Sequence, residues 1–286
     1  MVSNELGSFL RACRDRRKPG DVGLPSGTGV RRTPGLRREE VAAITGISSD
    51  YYTRLEQGRE RHPSDAVLEA LARGLLLDAT ERQHLHNLAR HASGARNPEQ
   101  PEAEAVRLSV LRLLDTLAGP AYVLNRRNDM LAANPAGLAL LADIDQWPAH
   151  RRNTTRYLFL HPTARKLMAP WAEIAENSVA DLRATFGDNP ADTRLKALID
   201  ELALKSEEFP AMWARHEVQP KSVGIKNFDH PAVGPMSLTY EVLGISGTDQ
   251  RIVVYQAEPD TPDHDALELL NLVARRDHPA VPEHRT

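Results

Sequence analysis

Ten polar side chains near the amino terminus have the chemistry needed to bind a polyanion. Four of them are arginines within eight residues: Arg31, Arg32, Arg37 and Arg38. A guanidinium donates paired hydrogen bonds that match phosphate oxygens and the acceptor edge of guanine. The other six follow closely and are Ser49, Asp50, Tyr51, Thr53, Arg54 and Arg59. These residue types are the ones that contact base edges and phosphates.

Residues 37–58, which carry most of this set, predict two short helices joined by a tight corner. The first helix has an apolar stripe formed by Val41, Ala42 and Ile44. Gly46 follows the stripe, and glycine ends a helix in the left-handed conformation at little steric cost. Ser48 has the type and position of an N-cap, which predicts that the second helix begins at Ser49.

The second helix has an inward and an outward side. Tyr52 and Leu55 are three residues apart and are expected to face inward. The outward set is Ser49, Asp50, Tyr51, Thr53 and Arg54. This pattern predicts a helix-turn-helix, which places its second helix in the major groove of DNA. We expect the outward set to contact bases or nearby phosphates, and Arg31, Arg32, Arg37, Arg38 and Arg59 to bind phosphates and set the register. An ordinary helical hairpin is the alternative interpretation.

Three further helices complete an all-α, five-helix DNA-binding domain over residues 1–92. A helix over about residues 3–15 has its apolar stripe at Leu6, Phe9, Leu10 and Cys13. Residues 16–36 are rich in Pro and Gly and are predicted to be a loop. Pro63-Ser64 begins the fourth helix. Thr80 with Gln83 is interpreted as a capping box that opens the fifth.

The rest of the chain predicts an α+β domain. Residues 93–104 have the composition of a linker, residues 105–275 form the domain, and residues 276–286 form a tail. A helix over residues 106–117 comes first, residues 155–215 are helical by periodicity, and residues 263–273 form the last helix. The apolar stripe of the first of these is formed by Val106, Val110, Leu113, Leu114 and Leu117. Five antiparallel strands are expected at 121–125, 130–134, 222–228, 236–243 and 251–256. Alternation along 236–243 predicts a sheet that buries one face. A hairpin followed by an Asn-capped helix at 135–141 is how PAS-type domains begin.

Charge is divided unevenly between the two parts. Residues 1–97 carry 16 Lys and Arg against 12 Asp and Glu, a net charge of +4, and residues 98–286 carry 20 against 27, a net charge of −7. This asymmetry favours a DNA-binding module joined to a module of another kind.

Several other kinds of chemistry have no support in the sequence. A single cysteine excludes an intramolecular disulfide and a cysteine metal cluster. The histidines have no metal-binding spacing, and neither a nucleophile elbow nor a phosphate-binding loop occurs. Apolar runs are too short for a transmembrane helix, and no signal peptide opens the chain. We therefore expect a cytoplasmic protein that is not an enzyme and has no metal, cofactor or membrane partner.

The spacing of residues 37–58 resembles the Xre/Cro-type helix-turn-helix, and residues 31–42 are similar to a narrower group, the MmyB-like transcription regulators. One departure is that Arg37 and Arg38 replace the usual Ser or Thr and Gln, which predicts stronger phosphate binding and no glutamine base reader. The resemblance covers nearly the whole chain and continues through segments 128–134, 152–153, 230–234 and 258–259, together with Phe209, Trp213, His216 and Tyr255. It implies a PAS-like C-terminal domain that binds a small molecule, with a fatty acid as the ligand of one relative.

Candidate ligand-binding residues follow from this resemblance and from residue type. Aromatic side chains are either core or cavity lining, and they are Tyr122, Trp171, Trp213, Tyr240 and Tyr255. Arg152, Asn153 and His216 are candidate anchors for an acidic head group. Ala133 stands where the family commonly has tryptophan, so the resemblance implies a larger cavity if that position lines it.

Three functions remain open from the sequence. The first is a sequence-specific transcription regulator that acts as a homodimer on double-stranded DNA and responds to a small, mostly apolar effector such as a fatty acid. The second is a small-molecule-binding or protein-interaction module without specific DNA binding. The third is an enzyme in the C-terminal half. Specific DNA binding separates the first from the second, and turnover of a bound molecule is needed for the third.

Overall fold

The computed structural model describes residues 4–25, 35–94, 105–218 and 224–277. These residues form two compact units. The first takes its described residues from Met1–Pro98, Ala180–Lys196 and Pro210–Pro220, and the second from Glu99–Val179, Ala197–Phe209 and Lys221–Thr286. The predicted linker, apart from residues 93 and 94, and the predicted tail beyond Asp277 lie outside the described residues.

Five α-helices come from the amino-terminal part of the first unit. They are α1 (Glu5–Arg16), α2 (Arg38–Thr45), α3 (Ser49–Glu56), α4 (Asp65–Gly74) and α5 (Ala79–Ala92). A short 3-10 helix, Pro19–Val22, interrupts the segment predicted to be a loop. The expected all-α helix-turn-helix region is therefore confirmed.

The remaining helices and strands follow in chain order. The helices are α6 (Leu108–Thr116), α7 (Pro135–Leu140), α8 (Thr154–Leu160), α9 (Ala164–Leu167), α10 (Trp171–Asp188), α11 (Thr193–Lys205), α12 (Phe209–Ala214) and α13 (Pro262–Asp277). The strands are β1 (Ala121–Leu124), β2 (Met130–Ala133), β3 (Met168–Ala169), β4 (Gly224–His230), β5 (Gly234–Gly244) and β6 (Arg251–Gln256). Helices α10, α11 and α12 each have residues in both units.

The first unit thus includes segments that the sequence-based division placed in the 105–275 domain. The reason is packing. Ala184 and Val218 lie against the apolar core formed by α1–α5. Arg183 is buried in the same unit, and its Nη1 lies 3.5 Å from the Glu5 carboxylate. Periodicity along one segment carries no information about such long-range packing.

The corner between α2 and α3 forms as its residue types predict. Gly46 adopts a φ of +73°, and the Ser48 hydroxyl accepts a hydrogen bond from the Tyr51 N–H at 3.1 Å. Tyr52 and Leu55 are fully buried, which confirms the inward side of α3. The Tyr52 hydroxyl also donates to the Leu10 carbonyl oxygen of α1 at 3.3 Å.

A buried carboxylate joins the three helices α1, α2 and α3. Glu56 is fully buried at the end of α3. Its Oε1 accepts from Arg14 Nε of α1 and its Oε2 from Arg38 Nε of α2, both at 2.7 Å. The Asn4 side-chain amide donates to the Glu56 carbonyl oxygen at 2.7 Å. A Cβ at Gly7 would lie 2.2 Å from that oxygen, so this close approach of α1 and α3 requires glycine there.

Two local predictions in these helical segments were wrong. The N-cap of α5 is Asp78 and not Thr80, because Asp78 and Glu81 exchange backbone-to-carboxylate hydrogen bonds at 2.8 and 3.3 Å. An aspartate two residues earlier provides the same reciprocal cap with a charged acceptor. Leu113, expected on the buried stripe of α6, is 46% exposed.

The second unit is an α+β domain built on one antiparallel sheet with strand order β2-β1-β6-β5-β4-β3. The five predicted strands are present, and the two-residue β3 is a sixth. The prediction that the sheet buries one face holds for β4 and β5, which alternate between buried and exposed residues. It is wrong for β1, whose four residues are all buried, because α6 packs Val110 and Leu114 against Val123 and Val254. The fold is consistent with the predicted PAS-like domain.

We expect Glu56→Gln to destabilise the α1–α2–α3 assembly by about 3 kcal/mol, because it removes the carboxylate that Arg14 and Arg38 share and leaves the buried Arg14 with the half-exposed Asp15 as its charge partner. Native-state hydrogen exchange of the α1 and α3 amides measures this loss. Glu39→Gln, at an exposed position of α2, is the control and should leave the exchange unchanged.

The same variant should remove a pH dependence. Burial alone would raise the pKa of Glu56, but hydrogen bonds and charges of Arg14 and Arg38 outweigh burial and hold the pKa below its ordinary value of 4.5. A lowered carboxyl pKa stabilises the fold above pH 4.5, and this contribution is lost as the pH falls through the folded-state pKa. Equal acid sensitivity of wild type and Glu56→Gln would contradict this account.

Candidate functional sites

The outward side of α3 is open to solvent in the first unit. Ser49, Asp50 and Arg54 are exposed, whereas Tyr51 and Thr53 are half-buried. Tyr51 packs partly on the apolar core, which limits how far its ring can reach. The Thr53 hydroxyl donates to the Ser49 carbonyl oxygen at 2.8 Å. Ser49, Asp50 and Arg54 are thus the members of the predicted set with the most freedom to reach a partner.

Arg54 is positioned by its neighbours on α3. Its Nη1 donates to Asp50 Oδ2 at 3.0 Å, one helical turn away. Its guanidinium carbon lies 5.7 Å from the centroid of the Tyr51 ring. An exposed i,i+4 pair contributes only a few tenths of a kcal/mol, so a stronger acceptor can replace Asp50.

The arginines around the helix-turn-helix have different environments. Arg37 and Arg59 are exposed, and the Arg37 N–H is bonded to the Glu40 carboxylate at 2.6 Å at the start of α2. Arg38 uses its Nε to hold the buried Glu56, and its side chain is 40% exposed. Arg31 and Arg32 lie outside the described residues. The prediction that Arg38 binds phosphate did not include its bond to Glu56.

Glu56 is the residue of this region that sequence reasoning missed. It follows the inward pair Tyr52 and Leu55 on the same side of α3, which was the available signal that its side chain is buried. A buried carboxylate requires cationic partners, and Arg14 and Arg38 were candidates at the facing helix ends. Its role is to position α3.

The second unit contains a cavity of about 140 Å³ between the sheet and the helices α8 and α10. Three sequence-predicted ligand residues, Tyr122, Tyr240 and Tyr255, line it. The other lining residues are Leu141, Thr154, Leu158, Met168, Ala169, Pro170, Glu173, Ile174, Asn177, Ser178, Ile225, Lys226 and Asn227.

Strand register explains why these tyrosines meet. Tyr240 is paired with Tyr255 across β5 and β6, and paired residues project from the same face of a sheet. Tyr255 and Val253 lie two apart on β6, and Val253 is paired with Tyr122 of β1. Lys226 alternates onto this face of β4, opposite Leu238 of β5. The face therefore presents three phenols and one ammonium.

These polar groups form a chain within the cavity. The Tyr122 and Tyr255 hydroxyls are 2.8 Å apart, and Lys226 Nζ lies 3.2 Å from the Tyr255 hydroxyl. Burial raises the pKa of both Tyr122 and Tyr255 well above its ordinary value, so both phenols are neutral and can donate. The Lys226 ammonium lies 4.6 Å from the centroid of the Tyr240 ring.

One polar atom at the cavity has no partner among the described residues. Thr154 Oγ1 is buried and makes no hydrogen bond, although Thr154 lines the cavity. A buried hydroxyl without a partner costs free energy comparable to a lost hydrogen bond. The Thr154 hydroxyl is therefore available to a polar group of a molecule that enters the cavity.

Four predicted ligand residues lie elsewhere in the second unit. Arg152 donates to the carbonyl oxygens of Trp147 and Asp145 at 3.0 and 2.9 Å. Asn153 is buried and accepts from the Arg156 N–H at 2.9 Å as the N-cap of α8. The Trp171 indole donates to the Leu158 carbonyl oxygen at 2.9 Å. Ala133 is paired with Tyr122 and shares its face of the sheet without reaching the cavity.

Trp213 and His216 lie in the first unit, around the buried Arg183. The Arg183 guanidinium carbon is 3.7 Å from the centroid of the Trp213 ring. Its Nη1 is 3.0 Å from His216 Nδ1. Burial, with the charge of Arg183, lowers the pKa of His216 to about 3, so its imidazole is neutral. His216 therefore lacks the charge expected of an anchor for an acid.

A larger groove in the first unit is a weaker ligand site. It has a volume of about 730 Å³ and lies between α4 and α5. On its walls, Glu69 pairs with Arg82 at 3.6 Å and with His86 at 3.0 Å. An open groove whose charged groups are already paired offers few unpaired groups to a ligand.

Among the residues that the structure describes, no three His, Cys, Asp or Glu side chains are grouped to hold a metal ion. Within the described ranges, no helix is long and apolar enough to span a membrane.

Comparison with known families assigns both parts of the chain. Residues 106–270 match the model described as the MmyB-like transcription regulator ligand binding domain. Residues 5–85 match a model described as a helix-turn-helix domain. No curated protein matches the chain significantly. The two matches support a DNA-binding transcription regulator with a ligand-binding domain.

We expect Arg37→Ala and Arg38→Ala to differ. If Arg37 binds a phosphate, its loss lowers the slope of log affinity against log salt by about one and leaves the α3 amides protected. Arg38→Ala should also weaken protection of α3, because Arg38 holds Glu56. DNA titrations at several salt concentrations, with hydrogen exchange, separate the two effects. An unchanged slope in Arg37→Ala would show that this side chain points away from DNA.

Proposed function

This chain belongs to the MmyB-like transcription regulators, and we propose that it binds a specific DNA sequence with an affinity that depends on a small, mostly apolar molecule held in the cavity. The observation that carries the DNA-binding part is the solvent-facing side of α3, held by the buried Glu56. The cavity beside Tyr122, Tyr240 and Tyr255 carries the ligand part. A fatty acid is one candidate ligand, from the family resemblance.

The dimensions of α3 suit the major groove. An α-helix with its side chains is about 10–12 Å across, which fits the major-groove width of about 12 Å, and the eight residues of α3 give it two turns. Arg54, Ser49 and Asp50 would face the bases, while Arg37 and Arg59 would bind the phosphates that flank them. The buried Glu56 supports this assignment, because a recognition helix must keep one orientation to distinguish bases.

If the ligand controls DNA binding, then its presence in the cavity must favour one conformation of the protein over another. A ligand changes DNA affinity only if it binds the two conformations with different affinities. Ile174 of α10 lines the cavity, and Arg183 of the same helix is buried in the first unit. We therefore expect α10 to be the element through which occupancy alters the first unit.

The alternatives make different predictions. A module without specific DNA binding would have equal affinity for all duplexes, and an enzyme would convert the bound molecule. Both matched families are regulator domains, which favours a regulator that releases its ligand unchanged. Mass spectrometry of a ligand incubated with the full chain tests this point. We place the action of this regulator in the cytoplasm, where it meets DNA.

Arg54→Ala should reduce affinity for the preferred sequence by about 1–3 kcal/mol and relax the preference at one base pair. The physical reason is the loss of a bidentate contact to guanine. Affinities for a selected duplex and for single-base variants measure it, and Arg37→Ala is the comparison because it should weaken all duplexes alike. Uniform loss in Arg54→Ala would make Arg54 a phosphate contact.

We also expect a homodimer on a palindrome, because two half-sites about one helical turn apart multiply both affinity and specificity. Sedimentation of the full chain and footprinting on the selected DNA should give two protomers and two half-sites. A single protected half-site with a monomeric protein would refute this expectation.

A further inference from the structure

The cavity contains an ammonium whose only described partners are aromatic rings and a phenol. Lys226 Nζ lies 3.2 Å from the Tyr255 hydroxyl, 4.6 Å from the centroid of the Tyr240 ring and 5.6 Å from that of the Tyr255 ring. Among the described residues no carboxylate lies within 4.0 Å of it. Glu173 also lines the cavity, but it is an exposed residue that forms no ion pair with Lys226. The cation is therefore available to an anion that enters the cavity.

One hydroxyl group lies beside this ammonium, and a second lines the same cavity. The Tyr255 phenol is neutral and adjacent to Lys226, and the Thr154 hydroxyl has no partner in the described chain. Charge-assisted hydrogen bonds to a carboxylate are about twice as strong as neutral ones. A monoanion would thus satisfy Lys226 and use hydroxyl groups that the fold leaves at the cavity.

The size of the cavity limits the rest of the ligand. A volume of about 140 Å³ is below the roughly 300–1,000 Å³ of typical pockets for drug-sized ligands. It is close to that of an engineered apolar cavity of about 150 Å³ that binds benzene. The walls are aromatic at Tyr122, Tyr240 and Tyr255 and aliphatic at Leu141, Leu158 and Ile174. A single ring fits within this volume, whereas a long acyl chain would have to extend beyond it, past exposed lining residues such as Ile225.

We infer that the cavity selects a monocarboxylate with a single ring, of the size of benzoate, and that Lys226 binds its carboxylate. This inference rests on the proposed function, since it names the ligand class of the same cavity. It assigns the anionic anchor to Lys226 in place of Arg152, Asn153 and His216, whose side chains are bound elsewhere. Thr154 is assigned as an additional hydrogen-bonding residue.

Isothermal titration of the full chain with benzoate tests this assignment, with benzamide as the uncharged isostere and myristate as the long-chain acid. We expect benzoate to bind, benzamide to bind about ten- to hundredfold more weakly, and myristate not to bind within the cavity. Lys226→Gln should weaken benzoate by about ten- to hundredfold and leave benzamide unchanged. Thr154→Val, which keeps the side-chain shape, should weaken benzoate by about three- to tenfold.

Lys166→Gln is the matched control, because Lys166 is an exposed lysine of α9 that does not line the cavity, and it should bind benzoate like the wild type. Equal loss for benzoate and benzamide in Lys226→Gln would overturn the role of Lys226 as an anion anchor. The size limit would be overturned if myristate bound and benzoate did not, and if Lys226→Gln bound myristate more weakly than the wild type does.

The same titrations in the presence of the preferred DNA sequence test the ligand class and the control of DNA affinity separately. Benzoate binding that depends on Lys226 but leaves DNA affinity unchanged supports the ligand class and refutes ligand control. DNA affinity that responds to myristate and not to benzoate supports ligand control and refutes the ligand class inferred here.

Discussion

A single buried carboxylate determines the geometry of the DNA-facing part of this protein. Glu56 sits at the end of α3 and accepts hydrogen bonds from Arg14 of α1 and Arg38 of α2. Since both arginines are needed to pair the two oxygens of this buried carboxylate, the bonds hold α1, α2 and α3 together. Asn4 and Gly7 add a second link, through the Glu56 carbonyl oxygen. These bonds hold α3 in one orientation, so its outward side chains have fixed positions from which to contact the edges of bases.

The ligand-binding part differs, because one polar group of its cavity, the Thr154 hydroxyl, has no partner among the described residues. Strand register brings Tyr122, Tyr240, Tyr255 and Lys226 to one face, and α8 and α10 cover it without filling the space. Natural interiors are close-packed and their buried polar groups are bonded. A cavity beside an unbonded Thr154 hydroxyl departs from both rules. Such departures concentrate at sites where a protein meets another molecule.

Local sequence patterns predicted the helices, strands and the turn well, whereas contacts between residues far apart in the sequence could not be predicted. Gly46 and Ser48 defined the corner of the helix-turn-helix because turns and caps depend on neighbouring residues. The bond between Arg38 and Glu56 joins residues eighteen apart, so the sequence predicted a phosphate contact for Arg38 and did not reveal this bond. Tyr240 was predicted on the buried face from alternation, whereas Lys226 on the same face was overlooked because a lysine in a strand is usually solvated. His216 was predicted to anchor the ligand from its residue type and the family resemblance. No sequence pattern reveals that it packs beside Arg183 in the first unit.

The central claim, that the Glu56-held α3 reads a specific sequence, is tested most directly by selecting duplexes from a random DNA pool with the full chain. The account predicts enrichment of one motif, with a guanine whose preference depends on Arg54. It also predicts that Glu56→Gln enriches the motif less, because α3 no longer keeps one orientation. If the duplexes bound by the wild type shared no motif, at salt concentrations where the chain still binds DNA, that result would contradict the account.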